Sequence, residues 1–272
     1  INILSGNKLL EFDYFLRFKF KSEFYDILEV LYRIEALYSL AKAIRVHNLV
    51  FPEFSEKKEF VINDCWNPLI KNCTKNSFYF GEGKNLIVLT GPNMSGKSTF
   101  LRTIGMILCL SHAGMAVPCS SAVLPFFDSI EVCISIQDSL TEGYSHFYAE
   151  LKKVRSVAEN MREGKKCFMI FDELFKGTNL TDAAKCAAVL ANGIIQHPDS
   201  YCILSSHHTG LISSDHSLEG KQQFSCIETL IRDGFPVFTY KFSPGISDVF
   251  LGYYFLQNEG IDKLFFSVPT EP

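Results

Sequence analysis

A glycine-rich loop beginning at Gly91 carries the residue types that bind polyphosphates. Its sequence, GPNMSGKST, fits the pattern GxxxxGK[ST] without a mismatch and directly follows the apolar run NLIVLT. When such a loop joins a strand to a helix, several backbone N–H groups and the positive end of the helix dipole point at one spot. Lys97 then supplies a charge to the β- and γ-phosphates, and the Ser98 hydroxyl binds Mg²⁺. The phosphate site predicted by this pattern comprises Gly91, Pro92, Asn93, Met94, Ser95, Gly96, Lys97, Ser98 and Thr99.

Two adjacent carboxylates, Asp172 and Glu173, follow a second apolar run, FMIF. Side chains alternate along a strand, so the two carboxylates are expected to play different parts. Asp172 is placed to hold Mg²⁺, usually through water, and Glu173 to polarise the water that attacks the γ-phosphate. This pair favours a hydrolase, because a small-molecule kinase transfers to a bound hydroxyl and needs no carboxylate that activates water.

A pair of histidines ends the next β-type run, YCILSS. The carboxyl end of a neighbouring parallel strand lies beside the ligand crevice of an α/β sheet. A histidine there can donate a hydrogen bond to the γ-phosphate or to its water. We predict this role for His207, with His208 as the alternative.

The elements that must position these residues follow from the hydrophobic pattern. Neither glycine nor proline occurs between Gly6 and Pro52, and apolar residues recur at helical spacing, which predicts a long helix over 22–48. Beyond residue 55, β-type runs alternate with helical stretches, and the last two runs, FSCIETLI and PVFTYKF, have the texture of a hairpin. The pattern predicts a helical segment at 1–55 and an α/β domain at 56–272, with a mainly parallel sheet flanked by helices.

Composition excludes several classes of protein. Of 272 residues, 47% are hydrophobic and the formal net charge is −4, so the chain is neither a disordered tail nor a basic DNA-coating module. The most apolar stretch, 101–117, is too short and too polar for a membrane span. Nine scattered cysteines without a CxxC pair indicate reduced thiols and a cytoplasmic protein. The chain begins with Ile and lacks a leader pattern, so we interpret it as a piece of something longer.

The phosphate loop closely resembles the GPNMGGKST loop of the MutS family of DNA mismatch-repair and recombination ATPases. Other segments agree with that family in order and spacing: CWNP at 65–68 with Arg-His-Pro, DSLTEGYSHFYAEL at 138–151 with DDLxxGxSTFxxEM, DELFKGTN at 172–179 with DEIGRGTS, SSH at 205–207 with Ala-Thr-His, and YKFSPG at 240–245 with YKLxPG. The resemblance covers about residues 25–260.

This resemblance implies an ABC-type P-loop ATPase that converts ATP to ADP and phosphate with Mg²⁺ in a composite site shared by a homodimer. Each copy would offer Ser145 to the γ-phosphate bound by the other. The residues agree, because Gly143 to Ser145 precede a helical run whose free N–H groups favour an anion. Tyr240 falls where the family places a ring against adenine, although core packing explains a strand tyrosine equally well. The helix 22–48 resembles the end of the lever that joins the ATPase to the DNA-encircling clamp.

Departures from the family pattern favour a MutS-like relative over a mismatch-repair protein proper. Tyr144 and His146 replace Arg and Thr, Ser95 replaces Gly, and 175–176 reads Phe-Lys in place of Gly-Arg. Residues 1–60 carry nine basic and nine acidic side chains, so DNA contacts are expected mostly from regions outside this chain.

Two rival functions share the phosphate loop. A transporter's nucleotide-binding subunit would need an LSGGQ stretch, which the sequence lacks. A nucleotide-gated scaffold, which binds ATP with negligible turnover and works as an interaction module, remains the alternative.

Overall fold

The computed structural model describes residues 6–134, 146–175, 177–206, 220–233, 235–249, 251–261 and 264. The chain divides into two compact units, residues 1–49 and 50–272. Within the described ranges, no helix combines the length and the apolar character needed to cross a lipid bilayer.

The first unit is helical. It contains α1 (Gly6–Tyr14), a π-helical turn (Phe15–Lys19) and α2 (Lys21–His47), so the helix predicted over 22–48 is observed. Helix α2 ends where Asn48 adopts a left-handed backbone, with φ 52°, as asparagine tolerates at helix ends. None of the residues of α2 is buried within this unit, although many are large and apolar.

The second unit combines ten strands and four helices among its described residues. In chain order they are β1 (Glu53–Phe54), β2 (Val61–Cys65), β3 (Asn76–Tyr79), β4 (Leu86–Thr90), α3 (Lys97–His112), β5 (Ser121–Leu124), β6 (Ser129–Cys133), α4 (His146–Arg162), β7 (Cys167–Asp172), α5 (Leu180–Ile195), β8 (Tyr201–Ser205), β9 (Gln222–Arg232), β10 (Phe235–Pro244) and α6 (Gly252–Asn258).

A six-stranded sheet in the order β10-β9-β4-β8-β7-β6 forms the centre of this unit. Strands β9, β4, β8, β7 and β6 are joined by parallel pairings, whereas β10 pairs antiparallel with β9. Only two positions of the chain separate β9 from β10, and a connection this short forces the second strand to return antiparallel. The predicted hairpin is therefore observed.

A second sheet, in the order β1-β5-β2-β3, was not predicted. Its pairings β5-β2 and β2-β3 are antiparallel and β1-β5 is parallel. The fold is α/β as predicted, but the prediction of one mainly parallel sheet is corrected to two mixed sheets. Strands β1 and β5 have only two and four residues, too few to show a period in the sequence.

Two apolar clusters cover the faces of the six-stranded sheet. Side chains alternate along β4 between the two faces. On one face, Ile87 and Leu89 belong to the cluster formed with α3 and the second sheet. On the other face, Leu86 and Val88 belong to the cluster formed with α4 and α5. Fully buried on both faces, β4 carries the phosphate loop at its carboxyl end. The loop thus begins from one of the fully buried strands of the sheet.

Candidate functional site

The predicted phosphate loop lies between β4 and α3 and depends on glycine at two points. Gly91 has φ 139° and Gly96 has φ 102°, both in the region that favours glycine. A Cβ at Gly91 would lie 3.0 Å from Ser95 Oγ and 3.1 Å from the Ile227 carbonyl oxygen. Helix α3 begins at Lys97, so the positive end of its dipole faces the loop.

Lys97 is almost fully buried inside this loop. Its ammonium donates hydrogen bonds to the carbonyl oxygens of Gly91, at 2.7 Å, and Pro92, at 3.1 Å. Glu173 Oε1 lies 3.6 Å from Lys97 Nζ, and the Glu173 side chain is itself only 13% exposed. The cation and the candidate carboxylate therefore face each other across the loop.

Ser98 and Asp172 form the second pair of the site. The Ser98 hydroxyl donates a hydrogen bond of 2.5 Å to Asp172 Oδ2, joining α3 to the end of β7. The other carboxylate oxygen, Oδ1, is buried and lacks a hydrogen-bond partner among the described residues. A hydroxyl beside a carboxylate with one unsatisfied buried oxygen fits the preference of Mg²⁺ for hard oxygen ligands.

Glu173 sits just beyond β7 in a strained conformation. Its φ is 51°, a left-handed value that is uncommon for residues other than glycine, and its backbone N–H donates to the Ser205 carbonyl at the end of β8. This turn directs the Glu173 side chain toward the phosphate loop, whereas Asp172 remains in the strand. The two adjacent carboxylates thus occupy different positions because Glu173 lies in a left-handed turn beyond the strand, whereas the prediction had relied on alternation along the strand.

A cavity of about 270 Å³ lies at this edge of the sheet. Its lining contains Pro92, Asn93, Met94, Gly96, Lys97, Ser98, Thr99, Glu173 and Tyr240. The structure therefore brings most of the predicted site residues together. Ser95, within the loop, is fully buried, and its Oγ lacks a hydrogen-bond partner among the described residues.

Tyr240 also lines a larger cavity of about 370 Å³, as Gly96 and Thr99 of the phosphate loop do. A Cβ at Gly96 would lie 3.0 Å from Tyr240 Cδ1, so the ring lies directly against the phosphate loop. With 49% exposure, Tyr240 is not a core aromatic. Of the two interpretations of Tyr240 in the sequence, this position favours a contact with a ligand.

The larger cavity is lined by residues that the motifs did not single out. They are Cys65, Trp66, Asn67, Ile70, Lys71, Asn72, Cys73, Thr74, Asn76, Phe100 and Thr103, together with Gly96, Thr99 and Tyr240. Burial raises the pKa of the Cys65 thiol to about 12, so this thiol stays protonated well above neutral pH. A mostly apolar wall with a few amide and hydroxyl groups is typical of a site for a planar heterocycle.

Two predicted residues, Ser145 and His207, lie outside the described residues. Their described neighbours are Phe147 in the first turn of α4 and Ser206, whose N–H donates to the Leu89 carbonyl beside the phosphate loop. The roles predicted for Ser145 and His207 stay predictions.

Comparison with known proteins agrees with the motifs. The family model of MutS domain V matches residues 87–261. The DNA mismatch repair protein MutS of Geobacillus sp. (strain WCH70) is 28% identical over 229 residues, which cover 82% of this chain and 26% of that relative.

Two further relatives carry the same description, DNA mismatch repair protein MutS. The protein of Bacillus cereus (strain B4264) is 27% identical over 259 residues, covering 91% of this chain and 29% of the relative. That of Streptococcus sanguinis (strain SK36) is 27% identical over 265 residues, covering 93% and 31%. The chain spans less than a third of the length of these relatives. Because the domain V model matches well over half of it, the chain belongs to the MutS family.

Proposed function

We propose that residues 56–272 form the ATP-hydrolysing domain of a MutS-like DNA repair or recombination protein. One observation carries the proposal. Helix α3 and the end of β7 bring four side chains together at one edge of the sheet, namely Lys97, Ser98, Asp172 and Glu173. A buried cation, an oxygen pair for Mg²⁺ and a carboxylate beside them are the parts that ATP hydrolysis requires.

In this proposal the triphosphate lies along the phosphate loop. The N–H groups at the start of α3 and the Lys97 ammonium bind its oxygens. Ser98 and Asp172 would hold Mg²⁺, which neutralises charge on the β- and γ-phosphates when bound. Tyr240 borders the 370 Å³ cavity in which the adenine would stack.

Glu173 would act as the general base in hydrolysis. It accepts a proton from water as the water oxygen bonds to the γ-phosphorus, and the bond from that phosphorus to the bridging oxygen breaks to give ADP and phosphate. His207 would donate a hydrogen bond to the γ-phosphate or to the attacking water. Ser145 of a second copy would donate another, so that two chains complete each site.

The rest of the proposal concerns the larger protein. Residues 1–55 would be the end of the lever, moved when two ATPase domains close on ATP. DNA contacts would come mostly from regions outside this chain, in a cytoplasmic protein. The lever assignment is supported by the exposed apolar side chains of α2, which need a covering surface, and the other assignments by the family.

One observation favours the alternative of a nucleotide-gated scaffold. Glu173 Oε1 lies 3.6 Å from Lys97 Nζ, and a carboxylate engaged by a cation is a poorer base for water. A scaffold of this kind would bind ATP, close, and turn over negligibly.

Single-turnover hydrolysis of ATP by the 272-residue chain distinguishes the two functions. We expect Glu173→Gln to bind ATP with Mg²⁺ normally and to hydrolyse it at least about 100-fold more slowly, as is usual when a general base is lost. Lys97→Ala should lose ATP binding, because the phosphates lose their cation. Lys165→Ala, which removes an exposed lysine on the surface, is the matched control and should bind ATP normally. An unchanged rate in Glu173→Gln would contradict the hydrolase and favour the scaffold.

A further inference from the structure

We propose that Asn76 is a positioning residue for the nucleotide base, acting through the backbone of Tyr240. Asn76 begins β3 in the second sheet, while Tyr240 lies in β10 at the edge of the six-stranded sheet. The inference rests on the proposed nucleotide site, and it assigns a role to a residue that neither the phosphate loop nor the carboxylate pair includes.

The Asn76 side chain holds two backbone groups of β10 at once. Its Nδ2 donates to the Tyr240 carbonyl oxygen at 3.0 Å, and its Oδ1 accepts from the Phe242 N–H at 2.8 Å. An amide offers a donor and an acceptor side by side, which matches a carbonyl and an N–H two residues apart. The side chain of Asn76 therefore replaces a strand partner for this part of β10.

Such a replacement is needed because the ladder between β9 and β10 is interrupted here. Phe238 pairs with Thr229 and Phe242 pairs with Ile227, so β10 accommodates two extra residues between the two pairs. Extra residues in a bulge lose their ladder partners, and Tyr240, in the middle of this one, has φ 57°. A left-handed value is costly for a residue with a side chain, so the bulge needs fixed partners to persist.

Phe242 and Tyr240 are fixed differently. At the end of the bulge, Phe242 stacks on Phe100 with ring centroids 4.9 Å apart and an interplanar angle of 16°. In its middle, the Tyr240 ring lies against Gly96 and stacks on Phe238 at 6.3 Å, but it stays half exposed. The Asn76 amide therefore fixes the backbone from which this ring projects.

Loss of the Asn76 amide should affect binding of the nucleotide base more than binding of the phosphates. Tyr240 lines both the 370 Å³ cavity and the smaller cavity at the phosphate loop, and Asn76 lines the larger cavity as well. Asn76 does not line the smaller cavity that contains Lys97 and Glu173. Loss of the amide should therefore weaken binding of a nucleotide that stacks on the ring, and should spare a ligand made of phosphate alone.

The test compares ATP with inorganic tripolyphosphate, each with Mg²⁺, by titration calorimetry on the 272-residue chain. Asn76→Asp keeps the size of the side chain and its acceptor oxygen, but places a second oxygen against the Tyr240 carbonyl oxygen. Asn76→Ala removes both hydrogen bonds to β10. We expect about tenfold weaker ATP binding in both variants, within the range of base–aromatic stacking, and unchanged tripolyphosphate binding. Asn63→Ala, which removes an exposed amide bond to Ser121 in the same sheet, should bind both ligands normally.

Tyr240→Ala supplies a second arm. If Asn76 acts through this ring, the double variant Asn76→Ala/Tyr240→Ala should bind ATP no more weakly than Tyr240→Ala, within about a factor of two. Circular dichroism and thermal unfolding identify any variant that fails to fold, and Asn76→Asp then carries the comparison alone.

Four results would overturn the inference, and one of them is a double variant that binds ATP clearly more weakly than Tyr240→Ala. Normal ATP affinity in folded Asn76→Asp, or an equal loss of ATP and tripolyphosphate affinity, contradicts it while leaving the proposed function in place. A wild-type chain that binds neither ligand removes both proposals.

Discussion

The Lys97 ammonium is surrounded by oxygen atoms of its own chain. Two loop carbonyls accept its hydrogen bonds, and a Glu173 oxygen lies 3.6 Å away. A bound triphosphate would offer charged oxygens in place of neutral carbonyls, and hydrogen bonds to ionised acceptors are roughly twice as strong. We therefore expect nucleotide to draw Lys97 away from Glu173, which leaves that carboxylate able to act on water.

A buried thiol offers a test of the packing at the residue scale. Burial raises the pKa of the Cys133 thiol from an ordinary value of 9.0 to about 12, and the nearby Lys153 ammonium offsets part of this rise. The unfolded chain releases the proton near pH 9 while the folded chain retains it. The contribution of this thiol to the free energy of unfolding is therefore fully present below pH 9, and it is lost as the pH rises toward 12.

We expect the Cys133 thiol to lower the free energy of unfolding by about 1.4 kcal/mol between pH 8 and pH 10. One pH unit above the pKa of the thiol in the unfolded chain corresponds to that free energy. Urea unfolding at both pH values measures it. In Cys133→Ala the fall in unfolding free energy should be smaller than in the wild type by this amount, whereas Cys109→Ala, at an exposed position, should behave as the wild type does. An identical fall in both variants would contradict the assignment.

At this scale, the sequence predicted those residues that a linear motif fixes. The phosphate loop, Asp172 and Glu173 each follow an apolar strand, and the sheet brings those strand ends to one edge. Asn76 could not be predicted in this way, since its partners lie more than 160 residues away along the chain. A hydrogen bond between such distant positions leaves no period or spacing in a single sequence.

At the scale of elements, the turn after β7 is tied to α4. Phe175 is buried with φ 70°, and its N–H donates to Glu150 Oε2 of α4, 25 positions earlier in the chain, at 2.9 Å. The rings of Phe175 and Phe147 meet edge to face at 6.0 Å. A Cβ at Gly177 would lie 3.0 Å from Phe147 Cβ, so glycine is needed for this close approach. The turn that carries Glu173 is thus held by the helix that follows Ser145.

We expect Glu150→Ala to destabilise the fold by about 1–3 kcal/mol, because the buried Phe175 N–H loses its acceptor. ATP hydrolysis should slow in single turnover, since Glu173 lies in the same turn, while ATP affinity should change little. Glu150→Gln is the matched control, because it retains a side-chain oxygen that can accept the bond. Urea unfolding checks the stability, and equal stability of the alanine variant and the wild type would contradict this account.

The sequence predicted the six-stranded sheet better than the second sheet. Strands such as β4 and β7 are continuous apolar runs that alternate with helices, which is a strong local signal. Strands β1 and β5 are short, and their pairing joins segments far apart in the chain. The antiparallel pairing of β10 at the edge of the large sheet could be predicted from the hairpin pattern. The second sheet depends on tertiary packing against α3.

At the scale of the whole molecule, the proposal is that two chains complete each active site. The described part of one chain supplies Lys97, Ser98, Asp172 and Glu173 around one cavity. The family resemblance assigns Ser145 to the site of the other copy. Isologous dimers of this kind have two equivalent sites, each containing one Glu173 and the opposite chain's Ser145.

Mixing two inactive variants tests this central claim most directly. Ser145→Ala should bind ATP normally and hydrolyse it slowly, and Glu173→Gln should do the same for a different reason. In an equimolar mixture about half of the dimers combine both variants, and each such dimer holds one intact site, so turnover should recover to roughly a quarter of the wild-type value. Turnover no greater than the average of the two variants measured alone would contradict the shared site.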